Sequence, residues 1–132
     1  MKMELSYDEQ IDAWTLRHDA VEIDSNEALE RWHDLLEREL ATAPVEAFHL
    51  MICVEGFSLA PELAEAYGQI AKHMVLPRTR AVVRYGTDNG LTTTSIRLGA
   101  VLNRYPANIF PDRRHASEAL LRIRRLGGSC PG

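Results

Sequence analysis

Apolar positions alternate with polar ones near the start of the chain and later recur at helical spacing, and the switch between the two periods divides the sequence into elements. Residues 3–8, 13–18 and 21–23 carry the mix of aromatic and branched side chains typical of strands, with Asp8-Glu9-Gln10 as the turn between the first two. Asp24 then stands as a helix N-cap with Glu27 three residues on, and Leu29, Trp32, Leu35, Leu36 and Leu40 form one helical stripe that Pro44 closes. Residues 48–54, FHLMICV, are nearly continuous in apolar character, as a strand buried on both faces must be, and are expected to form the central strand. The turn over 55–58 leads to a second helix that tolerates Pro61 in its first turn, with Leu63, Ala66, Tyr67, Ile70 and Met74 on its apolar face.

Pro77 ends that helix, and residues 80–85 read as another strand. The turn-rich stretch Gly86-Thr87-Asp88-Asn89-Gly90 opens a third helix over about 92–103, with Leu91, Ser95, Leu98 and Leu102 in line. Pro106 breaks it, residues 108–110 form a short strand, and Asp112 caps a last helix whose Ala116, Ala119, Leu120 and Ile123 face inward. Strands alternating with helices imply right-handed crossovers and a largely parallel sheet, with the N-terminal hairpin as its antiparallel edge. The expected fold is therefore α/β, a mixed, mostly parallel sheet of about five strands with four helices. The length of 132 residues fits a single domain over 1–126, followed by a flexible tail over 127–132.

Composition narrows the function classes. No apolar run approaches the roughly 20 residues of a membrane-spanning helix, and MKMELSYDEQ has no apolar segment of a signal peptide, so a cytoplasmic protein without membrane insertion is expected. Cys53 sits in an apolar run and Cys130 in the Gly-rich tail, with no partner at metal-ligand spacing. The net charge of −4 conceals a division: residues 1–66 hold 16 acidic and 4 basic side chains, whereas residues 67–132 hold 3 acidic and 11 basic. Either the halves interleave and compensate, or the surface is polarised and steers a charged partner or a second copy, a homodimer included. The acidic balance argues against nucleic acid as a partner.

Three stretches carry a family pattern: AWTLRHDAVEIDSNEALERWHDLLEREL, HLMICVEGFSLAPELAEAYGQI and ANIFPDRRHASEALLRIR. With the element order, they resemble the STAS domain of sulfate transporters and anti-sigma-factor antagonists over roughly residues 3–125. In phospho-regulated members an Asp-Ser-Ser/Thr-Gly motif opens the helix after the central strand, and phosphorylation there makes or breaks a complex. The corresponding residues, Gly56-Phe57-Ser58-Leu59-Ala60-Pro61-Glu62, keep only a serine, so the chain resembles a divergent member. The resemblance implies a non-catalytic regulatory domain that docks on a protein such as a kinase or an anti-sigma factor. Phe57, Ser58, Leu59, Glu62 and the exposed side of the following helix are the expected contacts, with Tyr67 either among them or part of the core. Ser58 is the candidate phosphorylation site, although a serine near a helix start is ordinarily an N-cap.

Other chemistry finds little support in the residues. The five histidines, His18, His33, His49, His73 and His115, show no paired spacing for a metal, and no cofactor is expected. Gly56-Phe57-Ser58-Leu59-Ala60 lacks the second glycine of a nucleophile elbow, and Cys53 reads as a small core residue. The alternative function is small-ligand or anion binding in residues 86–95, with Gly86, Thr87, Asn89, Gly90 and Thr92 as contacts and Arg78, Arg80 and Arg84 beside them. Such a site would compete with an ordinary strand–helix turn with hydroxyl caps. The basic cluster Arg113, Arg114, Arg122, Arg124 and Arg125 is either a solvated helix end or a dock for an acidic partner.

Overall fold

The run FHLMIC folds as a strand, β4 (Phe48–Cys53), flanked on both sides, which explains why it has no polar face. The computed structural model describes residues 1–44, 46–86 and 90–126, so the tail expected over 127–132 lies outside the described residues. Before β4 come the strands β1 (Lys2–Asp8), β2 (Ala13–Asp19) and β3 (Val21–Ile23) and the helix α1 (Asn26–Leu40). After it come β5 (Phe57–Leu59), α2 (Ala64–Met74), β6 (Thr79–Tyr85), α3 (Gly90–Leu102), β7 (Ile109–Phe110) and α4 (Arg113–Arg125). Short 3-10 turns, Pro61–Leu63 and Leu76–Arg78, lead into and out of α2.

The main sheet has the order β1-β2-β4-β6-β7. β1 and β2 are antiparallel, whereas β2–β4, β4–β6 and β6–β7 are parallel, so the chain is α/β with a mixed, mostly parallel five-stranded sheet and four helices. On one face Leu16, Leu50, Ile52 and Val82 pack against Trp32, Leu36, Tyr67 and Ile96 of the first three helices. On the other, Met51, Cys53, Val83 and Tyr85 pack against Ala116, Ala119 and Leu120 of α4. Each large aliphatic side chain removed from water in these layers stabilises by about 1.5–3 kcal/mol. α4 is also fastened across the sheet, because Arg113 pairs with Asp8 and Arg124 donates to the Ile11 and Asp12 carbonyls.

Several local expectations are corrected. Ser25, not Asp24, caps α1, accepting from the Ala28 backbone N–H at 3.1 Å, so Glu27 does not complete a capping box. The segment after β4 is not a simple turn into a helix. Residues 57–59 form β5, which pairs in parallel with β3 as a second, two-stranded sheet. In α3 the expected line of Leu91, Ser95, Leu98 and Leu102 is split: Ser95 is buried with Thr92, Ile96, Gly99 and Ala100, while the three leucines are exposed.

The split has a steric cause. α2 and α3 touch backbone to backbone at Gly68 and Gly99. A Cβ on Gly68 would stand 2.5 Å from the Gly99 carbonyl oxygen, and one on Gly99 would overlap the Ala64 carbonyl. Only the small-residue side of α3 fits there, which turns the leucines out. A single methyl at this crossing, Gly99→Ala or Gly68→Ala, is expected to cost about 1–3 kcal/mol through overpacking. Gly90→Ala, which meets nothing within 4 Å, should remain within about 0.5 kcal/mol of the parent, as a surface change. Urea unfolding of the three variants measures the contrast.

The outer edge of β1 is guarded. The Leu5 backbone N–H donates to the Glu39 carboxylate of α1 at 2.9 Å, which places a charge on a strand edge otherwise open to a further strand. Glu39→Ala is expected to raise self-association, read as a concentration-dependent increase in mass by sedimentation velocity.

Candidate functional site

The two stretches singled out in the sequence converge on one end of the molecule, beyond the C-terminal ends of β4 and β6, where ligands of open α/β sheets ordinarily bind. β5 and the first turn of α3 are joined there by a bond from the Leu59 N–H to Thr92 Oγ1 at 3.4 Å. Thr92 is 1% exposed, so this hydroxyl of the expected anion site faces β5 inside the protein. Gly86 serves the backbone: its φ is +154°, and a Cβ would stand 2.7 Å from Val54 Cγ2. Gly90 is exposed at the start of α3, and Thr87 and Asn89 lie outside the described residues. Arg78 and Arg80 sit at the opposite end of β6 from Gly86, donating to the Met74 and Ala47 carbonyls, so they do not flank that loop.

The expected docking residues divide. Phe57 and Leu59 are 5% and 2% exposed and belong to the core, because alternate positions of β5 point inward. Ser58, between them, is partly buried in a strand and does not cap a helix; Glu62 is exposed. A phosphate on Ser58 would therefore act on the β3–β5 pair rather than on a helix N-terminus. Tyr67, 3% exposed, is also core.

Phe57 and Tyr67 belong to an aromatic cluster that periodicity does not reveal. Ring centroids lie 4.8 Å apart for His18 and Phe57, 5.5 Å for Phe57 and Tyr67, and 4.9 Å for Trp32 and Tyr67. His18 Nδ1 is 2.9 Å from the Cys53 carbonyl oxygen, and the Trp32 indole N–H donates to His18 Nε2 at 3.4 Å. A carbonyl only accepts and an indole only donates, so these partners assign a neutral ring with its proton on Nδ1. Burial lowers the His18 pKa to about 4, against a smaller upward pull from the Cys53 carbonyl.

Near the end of β6 lies a buried cation. Arg84 is 1% exposed, donates from Nη1 to the Ala107 carbonyl at 2.8 Å and lies 5.8 Å from the Tyr105 ring centroid. Its Nε has no hydrogen-bond partner, and no carboxylate pairs with it among the described residues. On the α4 side of the sheet, the Cys53 thiol approaches Glu55 Oε2 at 3.5 Å. Burial pushes the Cys53 thiol pKa up, and burial likewise raises Tyr85, so neither is poised as a nucleophile. Among the described residues, no group of three or more His, Cys, Asp and Glu side chains is arranged to hold a metal.

What the sequence pattern hid is the outer face of α3. Leu91, Leu98, Val101 and Leu102 are 59%, 42%, 73% and 50% exposed, on a helix of 13 residues. The signal that exposes them is the competing stripe of Thr92, Ser95, Gly99 and Ala100, which suits a close helix crossing better than leucines do. No helix among the described residues is long and apolar enough to cross a membrane. No protein-family model matches the chain, and no match was found among curated proteins or solved structures.

The His18 geometry predicts a pH response. In the folded state the ring resists protonation until about pH 4, whereas in the unfolded chain it takes up its proton near 6.5. The unfolded state thus binds more protons between these values. Stability contributed by His18 is fully present above pH 6.5 and is lost as pH falls toward 4, by about 3 kcal/mol at most. His18→Gln should flatten that portion of the stability–pH profile in chemical denaturation. An equal slope in parent and variant would place the dependence elsewhere.

Proposed function

We propose that this chain is a non-catalytic protein-interaction domain, of the regulatory kind that its resemblance to STAS domains implies. The observation that carries this reading is the exposed apolar face of α3 (Leu91, Leu98, Val101 and Leu102). Large apolar side chains gathered on the outer face of one helix are the kind of surface that a partner protein covers. The Leu59–Thr92 bond ties the leading end of this helix to β5, so Leu91 shares its end of the molecule with Ser58 and Glu62. The docking surface we propose therefore keeps Ser58 and Glu62 from the family-like segment and takes its apolar content from α3 in place of Phe57 and Leu59. A kinase or an anti-sigma factor is the kind of partner that the STAS resemblance implies, and the cytoplasm is the compartment that such partners imply.

The double variant Leu98→Glu/Leu102→Glu tests the reading, because it charges the exposed face without touching the core. Its melting temperature should stay within about 3 °C of the parent, as for surface substitutions. Proteins that the parent retains in affinity capture from its native extract should be lost. An identical captured set for parent and double variant would refute α3 as the docking face.

A further inference from the structure

On the side of α3 facing the sheet edge, a groove of about 420 Å³ separates the helix from β7. Ala100, Val101, Tyr105, Ile109 and Phe110 supply most of its apolar wall, and Arg97 stands in the lining. The whole stretch from Gly90 to Pro111 contains no acidic residue but carries Arg97 and Arg104, both exposed. Arg114 is exposed at the start of α4, and Arg84 lies buried behind Tyr105 with no carboxylate paired to it among the described residues. The nearby Asp112 caps α4, accepting from the His115 backbone at 2.9 Å, and remains a half-exposed negative charge outside the groove's lining. The groove is thus apolar within, with Arg97 in its lining and the exposed Arg104 next in sequence to the lining residue Tyr105.

We infer that this groove receives an acidic segment of a partner protein that inserts an apolar side chain between α3 and β7 and sets its carboxylates against Arg97 and Arg104. This rests on the interaction reading above and adds the chemistry of the partner. Charge complementarity selects the occupant. A second copy docking through the same face would oppose arginines to arginines. The chain's own acidic helix, α1, has no large hydrophobic side chain among the exposed ones, so it offers charge without an anchor. A second acidic segment, around Tyr7, is already engaged: the Tyr7 hydroxyl donates to Asp12 at 2.6 Å, and Asp8 is paired with Arg113.

The test uses the full chain, isotope-labelled for amide NMR. The probes are two synthetic peptides, one combining leucines at helical spacing with glutamates and its twin with lysine in place of every glutamate. The glutamate peptide should shift amides of residues 97–110, with affinity reduced at least fivefold by 0.5 M salt and likewise by Arg97→Glu; the lysine twin should shift none of them. The inference is overturned if the glutamate peptide leaves residues 97–110 unmoved, or if both peptides bind alike. It is also overturned if sedimentation velocity of the protein alone reveals a dimer that Arg97→Glu dissolves, which would assign the groove to a second copy. These failures are separable from failure of the α3 docking reading, because capture through Leu98 and Leu102 is measured independently of the peptides.

Discussion

β4 has no wet face, and that constraint organises the molecule. Leu50 and Ile52 must be covered from one side and Met51 and Cys53 from the other, so helices are required on both faces of the sheet. Parallel neighbours on β4 then require long crossovers, which the helices supply. The same requirement moves the chemistry to the strand ends, because side chains within the sheet are committed to packing. Cys53 illustrates this: its burial raises the thiol pKa and leaves it a core atom. What remains available to partners is the outer surface of the covering helices and the edges of the sheet.

The division between what was legible in the sequence and what was not follows the range of the interactions. The apolar run of β4, the stripe of α1 and the inward face of α4 are local periodic signals, and each lies where the pattern placed it. The misplaced α1 cap is a contest between adjacent residues, since Asp24 and Ser25 both suit the role. β5 was hidden because its three residues lie between a Gly-containing turn and Pro61 and so read as part of the approach to α2. It exists through pairing with β3, Val21 against Phe57, which no local rule anticipates. That pairing also turns Phe57 and Leu59 inward and removes half of the docking residues expected from the family resemblance.

α3 shows a deeper ambiguity. Its sequence holds two stripes, one of leucines and one of small residues, and hydrophobicity alone favours burying the leucines. The choice is made by α2, where Gly68 admits a partner helix only at backbone contact. Shape thus overrules hydrophobicity, and the leucines are left on the outer face of the helix. The aromatic cluster was hidden for a related reason. His18, Trp32, Phe57 and Tyr67 come from four separate elements, and only the finished fold brings their rings together.

The clasp between α4 and the N-terminal hairpin also bears on the order in which the fold is completed during synthesis. Arg113 reaches Asp8 across 105 residues of sequence, and Arg124 reaches the Ile11 and Asp12 carbonyls across 113 and 112. A ribosome delivers the hairpin before these arginines. Until then the α4 side of the sheet, with Met51, Val83 and Tyr85, stays open to solvent. Any chain that lacks α4, nascent or truncated, therefore leaves that apolar layer of the sheet without its cover.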